Sequence, residues 1–515
     1  MAAQALKQSN PSAPVGFSIV LADEEATRRL AVDLANLIKP GDFVALSGDL
    51  GAGKTTLVRA MIAHLAGDTA VEVPSPTFTL VQTYDLPKFA LVHVDLYRVS
   101  GADELAELGF DDVPGAVVVM EWPDRAAGAL PADRIEVALA LGPERESEQR
   151  VAHVAGAGAV AARIAQLASV HRFLKEEGYG TAVRGRIAGD ASSRSYERLV
   201  TDNGTVILMN WPAQPDGPPV KRGLPYSAIA HLAENVKPFV AMALALRARG
   251  FSAPKIYAAD YNAGLIVLED LGNELVVEGD PPRPMIERYA YATDLLVALH
   301  GLDLPGVLPA APKVDYALPS YDLDAFLIEA ELILDWYLPH RNAGASPETR
   351  AHFQALWRDA LRPVLEAPKS WVLRDFHSPN LLWLEEREGI AKVGLLDFQD
   401  AVLGPSAYDL ASLLQDARVD VPEDAEIALF SRYVTARRQA DPGFDANAFA
   451  RLYATLAAQR ATKILGIFAR LDRRDHKPQY LRHMPRVWNY LRRALAHPAL
   501  QALNAWYQRN VPPPS

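Results

Sequence analysis

Apolar positions along this chain follow two periods. Short runs that end on a polar or acidic residue read as strands, and stretches repeating every three to four residues read as helices. Phe17 to Leu21 is the first strand. Asp23 to Ile38 is an amphipathic helix with Glu24 and Glu25 in its first turn, where the helix dipole favours them. After the turn Pro40-Gly41-Asp42, Phe43 to Leu46 is a short apolar strand, and the next helix carries Leu57, Met61, Ile62 and Leu65 on one side. Leu91 to Val94 ends on Asp95, Val117 to Met120 ends on Glu121, and Arg134 to Leu141 is a further strand. The alanine-rich stretch Val151 to Leu167 closes this region as a strand and a helix, and His171 opens a new amphipathic helix to Glu177. Alternating strands and helices predict an α/β domain over 1–168 built on a parallel sheet.

Downstream, two strands flank Gly189 to Tyr196, Thr205 to Met209 is a strand, and Ile229 to Arg249 is a helix. Leu265 to Leu268 runs into the linker Glu269-Asp270-Leu271-Gly272. Beyond it the pattern is mostly helical, as in Met285 to His300, Leu323 to Tyr337 and Ala351 to Leu361. The expectation is a two-lobed α+β domain, with lobes at 169–275 and 276–515. Proline-rich Pro212 to Pro225 is the one turn-rich loop able to move over a site.

Size and composition narrow the class. At 515 residues the chain exceeds one core. It has no cysteine, which excludes disulfides, thiolate metal sites and a cysteine nucleophile. No run approaches the roughly 18 apolar residues of a membrane span. The leading MAAQALKQSNPSAP has no charged-then-apolar signal pattern and reads as a disordered lead-in, with the cytoplasm as the default location. Net charge is −11, and residues 1–168 hold 13 Lys+Arg against 22 Asp+Glu. So acidic a region is unsuited to gripping nucleic-acid phosphates directly and points to a protein partner.

Gly48-Asp49-Leu50-Gly51-Ala52-Gly53-Lys54-Thr55 fits G-x-x-x-x-G-K-[ST] between a strand and a helix. Its glycines let backbone N–H groups close on phosphates, the helix N-terminus adds positive potential, and Lys54 pairs with the terminal phosphates. Thr55 supplies a magnesium ligand. Asp95 and Glu121, at strand ends beside this loop, hold magnesium or position water. Ser75-Pro76-Thr77-Phe78-Thr79 is a candidate nucleotide-sensing turn, while His93 and Tyr97 either join the site or only pack. GDLGAGKTT, SPTFTLVQTY, HVDLYR and VVVMEWPDR, in this order, resemble the bacterial ATPase family of tRNA threonylcarbamoyladenosine biosynthesis, TsaE. The resemblance implies a P-loop fold that hydrolyses ATP to drive the TsaD–TsaB pair. It carries nucleotide binding to Gly48, Gly51, Ala52, Gly53, Lys54, Thr55 and Thr56, a catalytic role to Asp95, and metal binding to Thr55 and Glu121.

In the second region, Trp371 to Leu373 delivers Asp375 onto a turn, Asn380 follows, and Val393 to Leu396 delivers Asp397. Phosphoryl transfer needs one carboxylate to orient the attacking hydroxyl, and an amide and a second carboxylate to hold magnesium. This spacing resembles the protein-kinase-like fold, and His377 with Pro379 resembles its aminoglycoside phosphotransferase branch, although Leu373 stands where that branch usually has His. Asp409 matches an acid that braces the catalytic loop. Ser192 and Ser193 sit in a small-residue hairpin suited to covering phosphates, and the linker at Glu269 offers backbone to an adenine. Met209 occupies the usual place of a phosphate-pairing lysine, which leaves Glu234 only a weak candidate for its partner. Arg460, Lys463 and Arg470 on a helix are either snorkelling basic ends or acceptor contacts. GDASSRSYERL, RDFHSPNLL, LLDFQDAVLGP and KILGIFARL resemble the cell-wall sugar-1-kinases, AmgK. That resemblance implies ATP-dependent phosphorylation of the anomeric hydroxyl of N-acetylmuramate and N-acetylglucosamine in peptidoglycan recycling, with Asp375 as base and Asn380 and Asp397 on magnesium. Other acceptors (aminoglycoside, choline, homoserine) or a non-catalytic scaffold are the alternatives.

Overall fold

The computed structural model describes residues 15–68, 70–99, 104, 108–110, 112–126, 128, 130–142, 149–187, 194–213 and 217–514. The lead-in expected to be disordered lies outside them, as do Ser192 and Ser193 and part of the loop from Pro212 to Pro225. The chain forms two compact units, Met1–Arg184 and Gly185–Ser515. Among the described residues no helix is long and apolar enough to cross a membrane.

Unit one is built on seven strands: β1 (Val15–Leu21), β2 (Phe43–Gly48), β3 (Val81–Asp85), β4 (Ala90–Asp95), β5 (Val117–Glu121), β6 (Ile135–Leu141) and β7 (Arg150–Gly156). Their order is β1-β7-β6-β2-β5-β4-β3. β2 runs parallel to β5 and β6, and β4 parallel to β5, while the outer pairs are antiparallel. A strand covered on both faces buries every residue, as all of β5 does. Alternate positions feed two cores: Val117 and Val119 pack with Leu30, Leu34, Met61 and Ile62, and Val118 and Met120 with Phe43, Ala45 and Val94. Helix α1 (Glu24–Leu37) starts where Asp23 accepts the N–H of Ala26 at 2.7 Å, and α2 (Lys54–Ala66) starts directly after β2 and its loop.

The expected boundary at 168 falls inside a continuous helix, α3 (Ala161–Glu176). Arg163 reaches both carboxylate oxygens of Asp42, at 2.6 and 2.7 Å, and His171 stacks on Phe17 with ring centroids 5.2 Å apart. Asp33 takes both His171 and Arg184 at 2.9 Å, so the chain stays bound to unit one as far as Arg184. Position 168 therefore lies within α3, inside unit one.

Unit two begins with a sheet of β8 (Val183–Ile187), β9 (Ser195–Thr201), β10 (Gly204–Asn210), β11 (Ile256–Asp260) and β12 (Leu265–Glu269), ordered β11-β12-β10-β9-β8. The helix expected from Ile229 starts only at Lys237 (α4, Lys237–Arg247), because Pro238 suits a first turn and Asn235 accepts the Lys237 N–H at 3.0 Å. Glu234 therefore sits before the helix, accepting the Ser227 hydroxyl at 2.9 Å, and is not a strand-facing partner.

The second lobe is helical: α5 (Ile286–His300), α6 (Leu323–Leu332), α7 (Pro347–Glu366), α8 (Ala407–Leu414), α9 (Glu423–Ala440) and the long α10 (Ala446–Asp475). Gly466 of α10 lies against Leu332, where an added Cβ would meet backbone carbon at 2.5 Å. Two short antiparallel pairs cross this lobe's face: β13 (Lys369–Val372) with β16 (Val402–Pro405), and β14 (Leu381–Trp383) with β15 (Val393–Leu395). They deliver Asp375, Asn380 and Asp397 to neighbouring ends.

Candidate active sites

In unit one the register sets Asp95 opposite Glu121, and Glu121 opposite Leu46 of β2, at the carboxyl ends of adjacent parallel strands. This is where open α/β sheets bind ligands. Gly48 has φ +138°, and a Cβ there would lie 2.3 Å from the Leu139 carbonyl, so only glycine lets the loop leave β2 at this point. Lys54 is buried, with Nζ donating to the carbonyls of Gly48 at 2.8 Å and Asp49 at 3.0 Å, and lies 3.9 Å from the centroid of the Trp122 ring. Burial pushes its amine below the ordinary lysine range, against the carboxylates of Glu121 and Asp95 that favour the charge. Thr55 donates its hydroxyl to Glu121 at 3.1 Å, and fully buried His93 reaches the same carboxylate at 3.0 Å. His93 thus positions Glu121. Asp95 accepts from the hydroxyls of Thr77 at 2.8 Å and Ser75 at 3.3 Å, and from the Tyr97 N–H at 2.9 Å. The Ser75–Thr79 turn is therefore wired to a strand-end carboxylate. Its Phe78 is 81% exposed and meets the Arg98 guanidinium 4.2 Å from the ring centroid. Gly51, Ala52, Gly53 and Thr56 belong to the loop and first turn of α2, as the motif required.

In unit two a cleft of about 380 Å³ is lined by the apolar Ile207, Phe239 and Leu268, by Asn380 and Asp397, and by Glu269 to Asn273 of the linker. A larger hollow of about 1030 Å³ beside Trp488 and Arg493 holds none of the phosphotransfer groups. The loop from Leu373 to Asn380 is tied down throughout. Asp409, buried, accepts the N–H groups of Leu373 at 2.7 Å and Arg374 at 2.9 Å. Asp416 accepts the N–H and hydroxyl of Ser378 at 2.8 and 2.6 Å. Asn380 donates its side-chain N–H to the Asp375 carbonyl at 2.9 Å, which assigns its amide oxygen to the outer side. Its own carbonyl accepts the Leu396 N–H at 3.0 Å, so strand pairing fixes it beside Asp397. An amide oxygen next to a carboxylate is the donor set of a hard divalent cation. Arg374 and Asp397 both hold positive φ, +67° and +59°, and such strain of about 1–3 kcal/mol each persists where surrounding bonds over-determine it.

The side chain of Asp375 is 40% exposed. His377, Lys463 and Arg374 hold its carboxyl below the usual carboxylate range, overcoming burial. Beneath it lies a sealed cluster: Glu329 pairs with Arg374, takes Lys463 at 2.7 Å and accepts from Tyr321 and Gln459. One carboxylate faces two cations there, and the surplus positive charge keeps Asp375 ionised. Removing one partner of such a buried pair costs roughly 3–5 kcal/mol.

Arg460 is buried and donates to the Gln415 carbonyl at 3.2 Å, and Lys463 is committed to Glu329. Arg470 lies 5.2 Å from the Tyr226 ring centroid, and its Nε has no protein partner. At the linker, Glu269 lines the cleft, its N–H donates to the Lys255 carbonyl at 2.8 Å and its side chain pairs with Arg247 and Arg387. The N–H is therefore spent inside the lobe, and the backbone lining the cleft continues through Asp270 to Asn273. Sequence reasoning passed over Arg194, which pairs with Asp397 at 2.7 Å, and Glu329 and Asp416, whose partners are distant in sequence.

Residues 21–151 match the family described as threonylcarbamoyl adenosine biosynthesis protein TsaE, and residues 184–446 match the phosphotransferase enzyme family. An N-acetylmuramate/N-acetylglucosamine kinase of Caulobacter vibrioides is 41% identical over 354 residues, 66% of this chain and 95% of its own. A kinase of the same description from Pseudomonas aeruginosa is 33% identical over 314 residues, 60% of this chain and 82% of its own. A tRNA threonylcarbamoyladenosine biosynthesis protein TsaE of Rickettsia felis is 43% identical over 122 residues, 24% of this chain and 71% of its own.

Proposed function

The chain belongs to the TsaE family through its first unit and to the phosphotransferase enzyme family through its second, and on that basis we propose a bifunctional ATP-using enzyme. Unit one hydrolyses ATP in support of tRNA threonylcarbamoyladenosine formation, acting with the TsaD and TsaB proteins. Lys54 pairs with the terminal phosphates, Asp95 positions water, and Thr55 and Glu121 are the residues that would hold magnesium. The −9 balance of 1–168 fits protein partners and not direct contact with tRNA. The chain works in the cytoplasm.

Unit two phosphorylates the anomeric hydroxyl of N-acetylmuramate and N-acetylglucosamine, a step of peptidoglycan recycling. Asp375 accepts a hydrogen bond from that hydroxyl and takes its proton. The sugar oxygen bonds to the γ-phosphorus as the bond to the β–γ bridging oxygen breaks, leaving ADP and the sugar 1-phosphate. Asn380 and Asp397 are the residues that would hold magnesium, which when bound would supply charge neutralisation on the phosphates. The observation that carries this reading is the placing of Asn380 and Asp397 in the lining of one cleft, with Asp375 on the loop that Asn380 ties down and its carboxyl held below the usual range by neighbouring cations. With Arg460 and Lys463 held by Gln415 and Glu329, Arg470 is the remaining basic candidate for a lactyl carboxylate.

The test is a pair of analogues. N-acetylglucosamine and N-acetylmuramate accept phosphate from ATP, and their 1-deoxy forms do not. Phosphate on a 1-deoxy sugar would move the reaction to another hydroxyl, and inert parent sugars would exclude the acceptor class.

A further inference from the structure

Phosphoryl transfer in the second unit needs a cation on the transferring phosphates, and its central strand supplies none. β10 reads GTVILMN and contains no basic residue, and Met209 is fully buried in the apolar core. Among the described residues lining the cleft, only Arg194 and Arg198 are basic. Arg198 is held at the linker by Asp270 at 2.6 Å and Asn273 at 2.9 Å. Arg194 stands at the opposite end. It immediately precedes Ser195, which pairs with Asn210, and Tyr196 pairs with Met209, so Arg194 leaves the sheet next to the strand position where a lysine would project. Its guanidinium lies 2.7 Å from Asp397, its side chain is 12% exposed, and it sits 5.0 Å from the Trp211 ring centroid.

We propose that Arg194 is the phosphate-binding cation of the second unit, bridging the terminal phosphates of ATP to the metal-binding carboxylate of Asp397. The inference rests on the reading of unit two as an ATP-dependent phosphotransferase. A guanidinium presents five N–H donors in one plane, so it serves a carboxylate and a phosphate together, where an ammonium acts as a single point. The cation has moved from the sheet to the start of the neighbouring strand, and it fixes the donor phosphates and the metal ligand in one geometry.

Binding separates this role from a structural one. Calorimetric titration of the full chain carrying Lys54→Ala, with magnesium present, compares ADP with adenosine in the parent, Arg194→Gln and Arg194→Lys. Arg194→Gln weakens ADP by about tenfold or more and leaves adenosine within about twofold, and Arg194→Lys recovers part of the loss. Retained adenosine binding doubles as the control for folding. Equal weakening of both ligands, or ADP binding unchanged in Arg194→Gln, would overturn the assignment. The measurement needs no acceptor, so inert sugars would overturn the acceptor reading alone. A parent chain whose second unit binds no ADP would overturn the phosphotransferase reading and this proposal together.

Discussion

The backbone N–H of Arg374 donates to the carboxylate of Asp409 at 2.9 Å, across 35 residues of chain, and Arg374 is a left-handed residue immediately before Asp375. The same carboxylate takes the Leu373 N–H, so one buried acid sets the direction in which the loop presents Asp375, the proposed base. Asparagine at 409 offers one acceptor to two donors. Asp409→Asn is expected to lower kcat by about tenfold or more, the worth of a misdirected catalytic group, with KM for ATP nearly unchanged. Burial pushes Asp409 up to about 7. Protonation below that pH removes acceptor capacity, so the parent's kcat falls as pH drops through about 7, and the Asn variant lacks this limb. Steady-state pH profiles of both proteins check it.

Lys54→Ala is expected to abolish ATP hydrolysis by the first unit, including any stimulation by added TsaD and TsaB. Sugar phosphorylation survives, because Asp375, Asn380 and Asp397 belong to a separate unit. Loss of both activities in a folded Lys54→Ala protein would show that the two centres are coupled.

Asp375→Asn is expected to remove phosphotransfer while ATP binding stays nearly intact. Asp397→Ala is expected to weaken metal–nucleotide binding as well, because it removes the proposed magnesium ligand and the partner of Arg194. Turnover measured beside nucleotide affinity separates the two, and near-normal turnover in Asp375→Asn would remove the base assignment.

Chemistry carried by neighbours in sequence was legible before the fold. Gly48 to Thr55 and Asp375 to Asn380 each sit on a single turn between elements, so spacing alone fixes their geometry. Asp95 and Glu121 were legible because each ends an apolar run, and parallel strands align such ends. The Glu329–Arg374–Lys463 cluster was not, since it joins a loop to two helices and no local pattern records which helix faces meet. The boundary at 168 failed for a related reason. Alanine-rich sequence forms helix without marking where packing stops, and only the ties from Arg184 and His171 to Asp33 show that α3 belongs to unit one.

His300 is fully enclosed, with Nδ1 2.9 Å from the Tyr433 hydroxyl, and burial, with help from Arg437, pushes it down to about 3. An unfolded imidazole takes its proton near pH 6.5. Between those values the unfolded chain binds more protons, so the stability contribution is complete above about pH 6.5 and is lost as pH falls, by up to about 1.4 kcal/mol per pH unit. His300→Gln does not titrate and is expected to flatten that limb. Tryptophan emission during urea unfolding at pH 7 and pH 5 reads it, since all tryptophans but Trp122 lie in unit two. Identical pH dependence in both proteins would assign the acid limb to other groups.

The methionine sealed into β10 also decides how the two centres respond to covalent probes. Acyl-phosphate derivatives of ATP mark proteins by passing their acyl group to an amine beside the phosphates. Lys54 offers that amine, and its lowered pKa enlarges the nucleophilic fraction. Among the described residues no lysine lines the cleft of unit two, and a guanidinium resists acylation. One reagent therefore tags the first nucleotide site and leaves the second silent. The label on the peptide containing Lys54 then reports occupancy of a single site in the intact chain.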